Sequence, residues 1–463
     1  MKSKNRLIFN ILKNFMKKSL ITLLLSGLLA SAQTNPIITK WLQNTTTTGT
    51  YYVSGNSTAI SNGILVNCQQ VRYSTNWAYI NATGIPAYPV GPFTGDGNPN
   101  NAGNQNAIYK LPLVPTQNTG TSTPTSGGTI GVFINGVSMF DYRDGVSWKN
   151  STGAFAGGPG GGMGDGVWNR DAIVYEKAGF DCSKGHPAGT NYHHHQNPSA
   201  FDLDLNIISS ICNLYDADGL YTINPTQHSP LIGFAADGFP VYGAYGYANV
   251  NGTGSITRIK SGYQLRNISV RTHYANGTDV TDGPAVSTTY PLGTFREDYE
   301  WVSNTDTSYL DTHNGRFCVT PEYPAGSYCY FATVNATHNS AYPYLIGPTY
   351  YGNKTGSLVT TVSETTTTYI PSLDVSNYVL DQTSIKIVPN PATDLIAIQM
   401  NGLVKNDLKI DLYDVSGKLI KSAKVIAGQS IAYFDVQDVY NGTYFVKITD
   451  GSNSVSKSII IKK

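Results

Sequence analysis

Apolar residues in this chain come in short runs separated by glycine, asparagine, proline and threonine, with little helical periodicity. Gly63–Cys68 and Trp77–Ile80 read as strands. Thr129–Ile134 is an apolar run that stops at Asn135-Gly136, a hairpin-turn pair. Leu231–Ala236 is unbroken apolar sequence, followed by Asp237-Gly238 and then Phe239–Tyr242. That pattern predicts a buried strand, a tight turn and a second strand. Phe201–Leu214 has apolar spacing that admits a short helix. Beyond Leu358 the periodicity gives way to threonine, which predicts a linker or a ragged strand over 353–383. Alternation returns after Ile385, with turn signals at Ser416-Gly417 and Asn441-Gly442, and predicts a small β-sandwich over 384–463. The expectation is a mainly β protein, in which a large β-rich domain with long loops precedes a small C-terminal β-sandwich.

Composition narrows the setting. The chain has 463 residues, a formal net charge of +1 and only 13% charged residues. A basic field for nucleic acid or an acidic membrane surface is therefore absent. Abundant Gly, Thr, Asn and Tyr suit short strands and elaborate loops outside the cell. Lys17-Lys18, an apolar stretch from Leu20 to Leu29 and Ala30-Ser31-Ala32 predict a signal peptide over 1–32, cleaved before Gln33. That apolar stretch is too short for a membrane span and no later one qualifies, so no transmembrane segment is expected. Five cysteines are present. A Cys318–Cys329 bridge across a turn-rich segment is reasonable, and a Cys182–Cys212 bridge would bracket the central histidines. Cys182 or Cys329 as a thiolate ligand is the alternative.

Candidate chemistry concentrates in Asn191-Tyr192-His193-His194-His195-Gln196, which follows Gly185-His186-Pro187. Side chains alternate along a strand, so His193 and His195 share one face and His194 points to the other. Two imidazoles so spaced can bind one metal ion, and His186 can fold back as a third ligand. Asp237, Asp311 and His313 are further candidate ligands, although Asp237-Gly238 is also an ordinary hairpin signal. Imidazole-rich sites suit a divalent transition metal, zinc or copper foremost, with nickel and iron also compatible. The zincin and nucleophile-elbow patterns are missing, and the glycine-rich loop Gly157–Gly164 lacks the Gly-Lys-Ser/Thr ending of a phosphate loop. The bland alternative is a set of hydrogen-bonded histidines that merely decorate a strand.

Tyr192, His193 and His195 match the Tyr-His-Tyr-His signature of the YHYH family of secreted bacterial proteins, with His194 in place of the second tyrosine. His228–Gly243 resembles the segment that follows the signature in that family. Leu310–Arg316, Gly326–Phe331 and Tyr342–Gly347 are similar to later family segments, and the resemblance spans roughly residues 45–352. It implies an extracellular module and supplies no established activity. The segment 384–463 resembles the type A C-terminal sorting domain of the type IX secretion system. That implies the secretion machinery as partner, and secretion or outer-membrane surface display as destination. The leading expectation is a YHYH module with a histidine-built metal site and no assigned substrate. The alternative is a non-catalytic module that binds polysaccharide or protein through exposed Tyr and Trp.

Overall fold

The computed structural model describes residues 35–56, 58–93, 100–158, 162–199, 219–371, 385–400, 407–426, 431–450 and 454–463. The expected signal peptide, the Phe201–Leu214 segment and Cys212 lie outside the described residues. By its internal contacts the chain divides into two compact units, one ending at Ile370 and the other beginning at Pro371.

The first unit is built on an eight-stranded mixed sheet. In chain order its strands are β1 (Thr129–Phe133), β2 (Ser138–Phe140), β3 (His186–Ala188) and β4 (Asn191–His194). They continue with β5 (Leu231–Ala235), β6 (Pro240–Tyr242), β7 (Gly315–Cys318) and β8 (Ser327–Phe331). Across the sheet the order is β3-β4-β2-β1-β5-β6-β8-β7. The Asn135-Gly136 and Asp237-Gly238 turns close the β1–β2 and β5–β6 hairpins. Gly136 and Gly238 have φ of 77° and 89°, a region that residues with a Cβ avoid.

Every residue of β5 is buried because both faces of the sheet are covered. Ile232, Val241 and Tyr330 face one apolar core, while Leu231, Phe234, Tyr242 and Phe331 face another. The second core is shared with Val71, Ile80 and Leu111 of a five-stranded sheet. A strand buried on both faces must be apolar at every position, hence the unbroken run from Leu231. The threonine-rich stretch contributes both edges of that five-stranded sheet. Ser357–Val359 pairs with Ala107–Pro112, and Thr367–Tyr369 pairs with Cys68–Tyr73. Polar β-branched residues suit a sheet edge, where one side meets water.

Strands β2 and β4 run parallel, with His193 opposite Ser138 and His194 opposite Met139. Parallel neighbours require a crossover. Here it is residues 141–190, which carry a three-stranded sheet, the single-turn helix Ala172–Tyr175 and β3. Cys68, Cys318 and Cys329 are buried free thiols. The expected Cys318–Cys329 bridge is not formed. The β7–β8 register sets Cys318 opposite Ser327 and Cys329 opposite Arg316, so the two stand diagonal across the ladder.

The second unit has a three-stranded sheet of Ile385–Val388, Leu395–Met400 and Ile431–Asp435. Its other sheet joins Leu408–Asp414, Leu419–Val425, Gly442–Thr449 and Ser454–Ile461. Ile396, Ile398, Ile410, Leu412, Val446 and Ile448 alternate inward to form its own core. It is the small sandwich that its period-two pattern predicts. No described helix is long and apolar enough to cross a membrane.

Candidate metal centre

The site is assembled at the β3 edge of the large sheet. His186 lies directly opposite His193 in the antiparallel β3–β4 pair, and His195 follows the end of β4 on the same face as His193. Tyr192 ties the strand down, its hydroxyl donating to the Asp181 carboxylate at 2.9 Å. That carboxylate also accepts the Ser183, Gly185 and Gly91 amides and so shapes the turn that delivers His186. Burial pushes the Asp181 carboxyl up to about 6. Gly185 admits no side chain, since a Cβ would lie 2.4 Å from the Tyr192 ring and 2.8 Å from His194 Cε1.

Ligand atoms of His186, His193 and His195 all lie within 4.8 Å of one another, and all three residues are buried. His193 Nδ1–H donates to the Asn191 carbonyl at 2.9 Å, and His195 Nδ1–H donates to the Asp141 carbonyl. A carbonyl only accepts, so these bonds set the proton on Nδ1 and leave Nε2 as a lone-pair donor. The two Nε2 atoms stand 3.0 Å apart. Phe140 stacks on the His193 ring at 3.8 Å, and Phe180 meets His186 edge-on at 4.8 Å. Burial lowers His193 well below the usual imidazole range, and the neighbouring His186 and His195 lower it further. Neutral imidazole is the metal-binding form.

A fourth group completes the cluster. Glu176 ends the helical turn Ala172–Tyr175, which Asp171 caps by accepting the Ile173 and Val174 amides. Its Oε2 lies 3.3 Å from His186 Nε2 and 3.1 Å from His195 Nε2. That oxygen is sealed from solvent and accepts no hydrogen bond of acceptable geometry. Burial by itself would raise the Glu176 carboxyl, but the His186 and His195 rings beside it hold it well below its ordinary value. The Nε2 lone pair of His195 thus faces the Glu176 carboxylate, an arrangement that a shared proton or a cation stabilises. Zinc–nitrogen bonds of roughly 2.0–2.1 Å set the edges of a ligand tetrahedron at about 3.3 Å. Three of the separations, 3.0, 3.1 and 3.3 Å, fall close to that, whereas the three histidine ligand atoms spread over as much as 4.8 Å. Glu176, with 20% of its side chain exposed against 2% for His195, is the edge nearest water.

His194 points the other way. Its Nε2 is hydrogen-bonded to the Tyr88 hydroxyl at 2.8 Å, its ring packs on Phe133 and Tyr192, and burial lowers its pKa to about 3. Asp237, Asp311 and His313 do not join the histidine cluster. Asp237 accepts from the Tyr330 hydroxyl at 2.6 Å and the Gly352 amide at 2.8 Å. Asp311 accepts from the Tyr328 hydroxyl at 2.8 Å and the His313 amide at 2.9 Å. His313 Nδ1 faces Thr349. The Tyr-Cys-Tyr segment of β8 thus supplies partners to two carboxylates that brace loops. Sequence reasoning missed Glu176. Charged residues are sparse in this chain, which makes any acid upstream of the histidines notable. No strand or helix spacing connects Glu176 to them.

The YHYH protein family model matches residues 108–342, and the secretion system C-terminal sorting domain matches residues 386–462. No curated protein matches the chain. The C-terminal sorting domain marks the chain for the type IX secretion machinery and for the cell surface or secretion. Tyr192, His193 and His195 lie inside the first match and the seven-stranded sandwich coincides with the second, so the chain is a member of the YHYH family that carries its own export address.

Proposed function

We propose that the first unit is an extracellular module that holds one divalent transition-metal ion through His186, His193, His195 and Glu176. The observation that carries this reading is the Glu176 carboxylate oxygen, buried between two imidazoles and accepting no hydrogen bond. Leaving a charged acceptor in that state costs several kcal/mol unless a cation shares it. Three imidazoles and one carboxylate suit zinc or copper. An ion held there would supply Lewis acidity. The protein's own residues define the rest. The Asn191 and Asp141 carbonyls orient two rings, Phe140 and Phe180 exclude water from the histidine side, and Glu176 borders the solvent. These side chains come from both the crossover helix and strands β3 and β4, so an ion held there would tie the crossover to the sheet.

The test is elemental analysis of the full chain, purified without a tag and reconstituted with zinc or copper. Wild type is expected to retain close to one ion per chain, and His193→Ala/His195→Ala none. Glu176→Gln weakens retention by about 10- to 100-fold, within the range for disturbed metal sites. His194→Gln, one position from two ligands, retains the full complement. Metal-free wild type after reconstitution, or equal retention in the double variant, overturns the reading.

A further inference from the structure

Immediately past the Asp141 carbonyl that orients His195, the chain turns away to line a separate cavity of about 480 Å³. Small-ligand sites fall in the range of roughly 300–1,000 Å³. Arg143, Arg296, Asn169, Asn276, Tyr299 and Tyr342 are among its walls, and no Leu, Ile, Val, Met or Phe side chain lines it. The buried Tyr142 ring is flanked by both guanidinium groups, Arg143 at 5.8 Å and Arg296 at 5.5 Å from its centre. It holds the two cations as one fixed unit.

The guanidinium groups are employed differently. Arg143 donates from Nε to Asp141 and from Nη2 to the Thr125 carbonyl at 2.7 Å. Arg296 contacts Glu297 through Nε at 2.9 Å, and among the described residues no acceptor takes its Nη atoms. A quarter of its side chain remains exposed. Such a pre-positioned fork matches a carboxylate. Glu297, held by the Asn169 amide groups, is pushed up to about 7 by burial, so its countercharge fades in mildly acid medium while that of Arg296 persists. Next to the fork, Tyr299 and Tyr342 stack at 4.1 Å and 8° as a rigid aromatic wall. Aromatic faces, amides and hydroxyls, with Ala275 and Pro348 as the aliphatic side chains in the lining, suit a ring that carries hydroxyl groups on its rim and C–H bonds on its face.

The geometry points to a binding site for a uronic-acid saccharide, its carboxylate on Arg296 and its sugar face against the Tyr299–Tyr342 wall. This site is distinct from the histidine cluster and does not depend on the ion. Calorimetric titration of the full chain with trimers of galacturonate and of mannuronate, a neutral galactose trimer and inorganic phosphate tests it. At least one acidic trimer is expected to bind at least tenfold more tightly than the neutral trimer and than phosphate. Arg296→Gln lowers that affinity at least tenfold. Asn276→Asp places a negative charge on an exposed rim residue and keeps its hydrogen bond to the Thr278 amide. It lowers the affinity severalfold even if Arg296→Gln does not fold. Failure of both acidic trimers to bind, equal binding of the neutral trimer, or undiminished affinity in Asn276→Asp overturns the proposal. Phosphate binding as tight as the trimer reduces the cavity to a simple anion site and overturns it as well.

Discussion

Asp171 carries two duties that a neutral amide could share. Its Oδ1 caps the turn that ends in Glu176, and its Oδ2 accepts from the Tyr344 hydroxyl at 2.8 Å. Burial pushes its carboxyl from 3.8 up to about 7, despite the partners that lower it. Between those values the folded chain keeps a proton that the unfolded chain has released. This component of stability is therefore present at low pH and falls as pH rises through the window, by about 4 kcal/mol in all. Asp171→Asn keeps both caps through its carbonyl oxygen and can donate to the Tyr344 oxygen. Urea unfolding at pH 4.5 and pH 8 should show the variant gaining on wild type at the higher pH, and identical pH slopes would refute this account. At this scale the sequence was most legible where alternation applies. His193 and His195 fall on one face and His194 on the other, as a strand demands. Asp237 and Asp311 were less legible, since a carboxylate that braces a loop and one that binds a metal look alike in one dimension.

Elements show why other parts could not be read. A parallel β2–β4 pair needs a crossover, and that crossover brings Glu176 to the histidines. Hydrophobic patterning reveals that strands exist and says nothing of which non-adjacent strands pair. The threonine-rich stretch makes the same point. It has no apolar stripe because it forms the outer strands Ser357–Val359 and Thr367–Tyr369, whose backbones complete the five-stranded sheet. A chain ended after Asn353 should expose both neighbouring strands, lower the melting temperature of the first unit by several degrees and aggregate on heating. Ending the chain after Pro371 should leave that transition unchanged. Equal melting of the two truncations would show that the edge strands contribute nothing.

On the scale of the whole molecule, two units serve two tasks. The second unit's core consists of its own residues, from Ile385 to Ile461. Deleting residues 384–463 should leave one ion per chain in the purified protein and abolish its appearance at the surface or in the medium, measured by fractionation of the producing cells. Continued export of the deletion would contradict the role of the sorting domain. The sequence by itself determined the mainly β class, the two tight turns, the sandwich at the C-terminus, the family and the three histidines. Those follow from local periodicity, from turn chemistry and from motifs contiguous in the chain. Only the tertiary structure decided that Glu176 stands beside His186 and His195, that Asp237, Asp311 and His313 stand elsewhere, and that Arg143, Arg296, Tyr299 and Tyr342 share one cavity. Each of these depends on strand order and crossover path, which are set by the packing of both sheet faces at once and leave no periodic trace in the chain.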